Sequence, residues 1–168
     1  MLEILSATEH EQLAQVRSLM HAFIDWLRQH YANDTQLINE YFDEKAFSEE
    51  LLLLPGKYAT PDGQLLLALY QGQSAGCVGL RKLDDHSCEM KRLFVPTQFH
   101  GQGIGRALVE TLLQNARTLG YKSIRLDTGI HQTVAQTLYQ SLGFKIIQPY
   151  YEVSANLEKG LVFMELIL

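Results

Sequence analysis

Apolar residues in this chain recur at two different spacings, and the switches between them divide it into elements. Leu2 and Ile4 alternate as in a short strand. Leu13, Val16, Met20, Phe23, Ile24 and Leu27 then fall on one face of a helix that should end near Gln29. Thr8, with Glu11 three residues on, reads as its capping box. Residues 30–57 are less regular. Leu37, Ile38, Tyr41 and Phe42 make one short amphipathic piece, Phe47, Leu51, Leu52 and Leu54 another, and Pro55-Gly56 stops the second.

The period then shortens. Pro61-Asp62-Gly63 is a turn, and Gln64 to Tyr70 is apolar enough for a strand buried on both faces. A hairpin turn at 71–74 leads into a strand from Ala75 to Leu83. The turn Asp84-Asp85-His86, whose two carboxylates read as solvated, opens the next strand, which runs to Val95. Pro96 has no N–H and ends it. Ile104, Ala107, Leu108, Thr111, Leu112, Asn115 and Leu119 return to helical spacing, capped by Gly120. Ser123 to Asp127 should be a strand parallel to the one before that helix. A helix from Gln132 to Leu142, a strand from Phe144 to Ile147, a long loop to Gly160 and a strand from Leu161 to Leu168 complete the chain. The expected fold is α/β, a mixed and mostly antiparallel sheet with helices on both faces, in one domain over residues 1–168.

Composition narrows this little. A formal charge of −5 disfavours nucleic acid and anionic membrane as partners. No apolar run approaches the ~18 residues of a membrane span. Met1-Leu2-Glu3-Ile4 lacks a basic start and an apolar signal core, so a cytoplasmic protein is expected. Cys77 and Cys88 read as buried free thiols, although neighbouring strands also permit a bridge. The six histidines are scattered, and nothing asks for a metal.

The chemistry concentrates between Cys88 and Leu108. Strand, then Gly101, Gly103 and Gly105, then a helix start is a recipe for an anion site. The first N–H groups of a helix lack intrahelical acceptors and sit at the positive end of its dipole. Glycines let the chain turn and let a phosphate approach those amides. Arg106 adds a cation at the same end. A P-loop would need Lys-Ser or Lys-Thr after the last glycine, and Arg106-Ala107 stands there. A dinucleotide fingerprint would need Gly or Ala where Arg106 or Leu108 falls, although Asp127 imitates its acidic ribose ligand.

The loop instead resembles the acyl-coenzyme A loop of the GNAT N-acetyltransferase superfamily, through His100, Gly103 and Gly105. His100 stands where that family usually has Arg or Gln. Leu138-Tyr139 followed by Leu142-Gly143-Phe144, with Ala135 before them, resembles a second family segment. There Gln132 replaces the usual Asn. Glu89, six residues before Val95, matches a position where several members carry a catalytic glutamate.

The resemblance implies acetyl-coenzyme A as donor and direct transfer to an amine. It implies Gly101, Gln102, Gly103, Ile104, Gly105, Arg106 and Gln132 at the pyrophosphate end, and Leu93, Phe94 and Val95 along the pantetheine arm. Glu89 would be the general base, with His131 next in line, and Tyr139 the acid that protonates the leaving thiolate. An N–H near Phe94 or Val95 would stabilise the oxyanion. Strand alternation puts Glu89, Lys91, Leu93 and Val95 on one face unless a bulge changes the phase. Trp26, His30, Tyr31, Asn39 and Tyr41 are candidates for the acceptor wall. Lys91, Arg92 and Arg81 favour a small-molecule amine that carries a carboxylate. An acyl-coenzyme A sensor on the same fold, or transfer to a protein N-terminus, stays open, as does a homodimer.

Overall fold

Gln64–Tyr70 is apolar without alternation because the strand it forms is covered on both sides. Leu65 and Leu67 enter one core, Leu66 and Ala68 another. The computed structural model describes residues 1–168. Its strands are β1 (Leu2–Ser6), β2 (Gln64–Tyr70), β3 (Gln73–Lys82), β4 (Ser87–Phe94), β5 (Ser123–Gly129), β6 (Lys145–Ile147) and β7 (Leu161–Ile167). They form one seven-stranded sheet in the order β1-β2-β3-β4-β5-β7-β6. Only β4 and β5 pair in parallel. The last strand slots between β5 and β6, an insertion that the linear pattern of apolar residues does not encode.

The helices are α1 (His10–His30), α2 (Thr35–Tyr41), α3 (Glu44–Leu52), α4 (Ile104–Thr118), α5 (Thr133–Ser141) and α6 (Ala155–Gly160). On one face, α4 buries Ile104, Leu108 and Leu112 to 1% exposure or less against Leu66, Val78 and Leu80. Full burial of each such side chain contributes about 1.5–3 kcal/mol. On the other face, Val16 and Met20 of α1 pack against Leu67, Cys77 and Phe94. Cys77 and Cys88 are both free and buried.

Three expectations need correction. The capping box of α1 joins Glu9 and Gln12 rather than Thr8 and Glu11, with Gln12 Oε1 accepting from the N–H groups of Thr8 and Glu9, both at 3.0 Å. The segment after Pro149 is not all loop: Ser154 caps α6, accepting from Leu157 N–H at 3.1 Å. And β4 does not alternate to its end. Cys77 pairs with Phe94 but Gly79 with Lys91, so β4 carries one extra residue, and Arg92 takes a φ of +63°. The bulge keeps Glu89 and Lys91 on the α1 side with Phe94, and turns Leu93 and Val95 to pack on the α4 side.

Candidate active site

Parallel pairing of β4 with β5 stops early. Ser87, Cys88 and Glu89 meet Ser123, Ile124 and Arg125, and beyond them the strands diverge. The other edge of β5 stays paired with β7 as far as Gly129 and Leu161, so β5 is held while β4 swings away at its bulge. The resulting cleft is bounded by Met90 to Leu93 on one side and Leu126 to Gln132 on the other. Phe23 and Leu27 of α1 and Leu37, Ile38 and Tyr41 of α2 roof it.

Past the end of β4, where α5 comes near, lies the glycine loop: a Cβ at Gly105 would stand 3.9 Å from Val95 and 3.7 Å from Leu138. Gly101 and Gly103 have φ of +79° and +75°, a conformation costly for other residues, and the space where a Cβ would project from either is empty. None of the N–H groups from Gly101 to Arg106 has an acceptor within the protein; the first that does is Ala107, bonded to the Gly103 carbonyl at 3.0 Å. Val95 N–H is also unpaired. Side chains brace this loop. His100 Nε2 lies 2.8 Å from the Val95 carbonyl, Tyr70 donates to Gln102 Oε1 at 3.2 Å, and Arg106 donates to Ser141 Oγ at 2.7 Å. Gln132 caps the end of β5, its Oε1 accepting from Gly129 N–H at 2.7 Å and Thr128 at 3.2 Å. That oxygen is therefore occupied by the fold itself.

Tyr139 of α5 is buried and lines the cleft. Burial, and then the nearby charge of Asp127, push its phenol pKa up, so the hydroxyl keeps its proton at neutral pH. Glu89 does not line the cleft. It is 1% exposed and accepts from Arg81 Nε at 2.7 Å and Tyr150 at 2.5 Å, with Lys91 Nζ at 3.7 Å. Burial alone would raise its pKa, but Lys91, Tyr150 and Arg81 outweigh it and hold the carboxyl below its usual value.

The cations expected to meet a substrate carboxylate are already engaged. Arg92 grips Glu50 with Nε at 2.8 Å and Nη2 at 3.0 Å, and Arg81 and Lys91 face Glu89. Of the residues expected in the acceptor wall, Tyr31 and Tyr41 line the cleft, as does His131; Trp26, His30 and Asn39 do not. Trp26 instead stacks on His30 with ring centroids 4.6 Å apart.

Sequence reasoning passed over the strap between β6 and β7. Its Tyr150 reaches Glu89, and its Tyr151 donates to Asp127 Oδ2 at 2.7 Å. Asp127 Oδ1 accepts from Tyr41 of α2 at 2.5 Å. Ser154 and Asn156 donate to Glu40, which fastens the strap to α2. The paired tyrosines after Pro149 were the one available signal, since two large amphipathic rings in a polar loop call for a partner.

The model described as "Acetyltransferase (GNAT) family" matches residues 22–144. An uncharacterized N-acetyltransferase of Schizosaccharomyces pombe is 35% identical over 77% of this chain and 83% of its own length. One from Dictyostelium discoideum is 30% identical over 84% of this chain and 89% of its own length. An acetyltransferase structure from Streptococcus agalactiae superposes over 99% of this chain and 98% of that one, with a TM-score of 0.73 at 23% identity. The PaiA N-acetyltransferase of Thermoplasma acidophilum, solved with coenzyme A, covers 100% and 99% with the same TM-score of 0.73 at 17% identity.

Proposed function

This chain belongs to the GNAT acetyltransferase family, and from that premise we propose that it moves the acetyl group of acetyl-coenzyme A directly to the primary amine of a small molecule. The observation that carries this reading is the run of unpaired N–H groups from Gly101 to Arg106 at the start of α4, next to a split sheet. A pyrophosphate there gains several charge-assisted hydrogen bonds and the favourable end of the helix dipole. The open space over Gly101 and Gly103 gives it room.

Leu93 to Val95, at the free edge of the split, are the residues to pair with the amide-bearing arm of the donor, as an added strand would. The thioester supplies an activated acetyl carbonyl. Val95 N–H is available to the oxygen of that carbonyl as charge builds on it. Tyr139 gives its proton to the departing thiolate, burial having kept it on the phenol until then, and the proton that the attacking nitrogen sheds as the amide forms restores the phenol. Glu89, with both oxygens engaged away from the cleft, serves as a positioning residue for Lys91, Arg81 and Tyr150 rather than as the group that strips the amine.

A small acceptor suits the cleft better than a polypeptide end. The strap is tied to α2 through Glu40 and to the sheet through Asp127 and Glu89, which narrows the acceptor side. Calorimetric titration with coenzyme A, followed by thiol release from acetyl-coenzyme A across a panel of amines, tests the reading. Heat and amine-dependent release are expected. No heat on adding coenzyme A would overturn it.

A further inference from the structure

Charged groups around the acceptor half of the cleft are not all neutralised in the same way. Arg92 lies against Glu50, and Arg81 against Glu89. Lys91 is 3.7 Å from Glu89 and donates to the Tyr41 hydroxyl at 3.1 Å. Asp127 differs. Its two oxygens are held at 2.5 and 2.7 Å by neutral hydroxyls, those of Tyr41 and Tyr151, and no cation lies within ion-pair distance. Lys91 reaches it through the Tyr41 oxygen. Burial, and then Asp127 itself, push both phenols up in pKa, so they stay neutral donors. The carboxylate stands on the cleft wall where β4 and β5 have parted, and the apolar side chains of Leu27, Leu37 and Ile38 line the same cleft.

We propose that Asp127 is the counter-ion of the acceptor's ammonium, and that the acceptor is a primary amine on an apolar arm with no carboxylate beside it. The inference rests on the amine-transfer reading above. A half-buried carboxylate gains from a full positive charge that hydroxyl dipoles cannot supply, and each of its oxygens keeps a lone pair for one more donor. An ammonium offers three donors and suits that vacancy. An amino acid would instead bring its own carboxylate toward Asp127, where every cation in reach already faces a protein carboxylate. The tyrosines fix the direction of approach, one from α2 and one from the strap, so the charge is presented at a single point between them.

The test compares amines with the amino acids that differ only by a carboxylate: phenethylamine with phenylalanine, tryptamine with tryptophan, isopentylamine with leucine. With acetyl-coenzyme A as donor, the amines should be favoured in kcat/KM by about tenfold or more. Asp127→Asn, which keeps the shape and removes the charge, should raise the amine KM by about tenfold with coenzyme A affinity as in the wild type. Amino acids that match or exceed their amines, or an Asn variant with an amine KM within about twofold of wild type, overturn the inference. So does turnover of neither set by a wild-type protein that binds coenzyme A, and that outcome leaves transfer to another amine standing. Absence of coenzyme A binding removes the underlying reading instead. If circular dichroism shows the Asn variant unfolded, the substrate pairs on the wild type decide.

Discussion

The two ends of the cleft are made of different material. The end at Gly101 to Arg106 is main chain: consecutive N–H groups, two residues at positive φ and the first turn of α4. The acceptor wall and the layer directly behind it are side chain. Tyr41 reaches Asp127 across 86 positions of sequence, Tyr150 reaches Glu89 across 61, and Arg92 reaches Glu50 across 42. A main-chain site needs only a permitted backbone conformation and the absence of a Cβ, so it fails locally. A wall of buried charges and phenols is held by mutual satisfaction, so damage to one member leaves another unpaired and is felt as lost stability. Donor binding and fold stability should therefore separate cleanly between the two ends.

The sharpest separation is expected at Gly103. Valine there forces a β-branched residue to φ +75° and puts methyl groups into the empty space over the loop. Coenzyme A affinity should fall by on the order of 100-fold in a titration. The strain costs about 1–3 kcal/mol, so the variant remains folded and shows a modestly lower Tm. Normal affinity in a folded Gly103→Val protein would mean that the amides between Gly101 and Arg106 do not hold the donor. Next in size is Tyr139→Phe, which leaves the ring packed against Phe144 and removes the proton. Turnover should drop by about 100-fold with coenzyme A binding retained. An unchanged kcat at saturating substrates removes Tyr139 from the chemistry.

That division also explains what could be read in advance. The strand, glycine loop and helix are contiguous, and their chemistry follows from Pro96, three glycines and the apolar face Ile104–Leu108–Leu112, all visible in one stretch. Strand positions and the parallel step at β5 follow from period and from the intervening helix. The wall does not. Arg92 looked available for a substrate because nothing local shows that a bulge turns it toward Glu50. Asp127 looked like a strand-end acid because Tyr41 and Tyr151 lie 86 and 24 positions away. Glu89 matched a family position, but its burial among Arg81, Lys91 and Tyr150 is a property of the closed sheet.

On the side-chain end the largest effect should be on stability. Glu50 and Arg92 are 10% and 8% exposed, with the guanidinium 4.8 Å from the Phe42 ring centroid. Glu50→Gln leaves a buried guanidinium without its counter-charge and should cost about 3 kcal/mol at neutral pH. Burial alone would raise the pKa of this carboxyl, but Arg92 and then Lys57 lower it from 4.5 to about 2. A depressed pKa in the folded state gives stability that is fully present above pH 4.5 and is lost as pH falls toward 2. Denaturant titrations across that window should show a loss of about 3 kcal/mol in the wild type that the Gln variant lacks. Parallel acid profiles for the two proteins would remove the pair from the account, and a loss of coenzyme A affinity in folded Glu50→Gln would blur the division between the ends.

The smallest effect is expected at Glu89, and it bears most directly on where the amine loses its proton. If Glu89 positions the wall, Glu89→Gln weakens the contacts to Arg81 and Lys91 while keeping an acceptor for Tyr150. Arg81 is 34% exposed, so water replaces part of what is lost, and the cost should be only about 1–2 kcal/mol. The low-pH limb of kcat/KM should then keep its position, because the group that titrates there is elsewhere. A general base would behave differently: replacing it flattens that limb and lowers kcat, with little change in Tm. The pH profile and the melting curve of this one variant therefore move in opposite patterns under the two roles. A flattened limb with an unchanged Tm would return the proton to Glu89 and make the acceptor wall, like the glycine loop, a place where function and stability come apart.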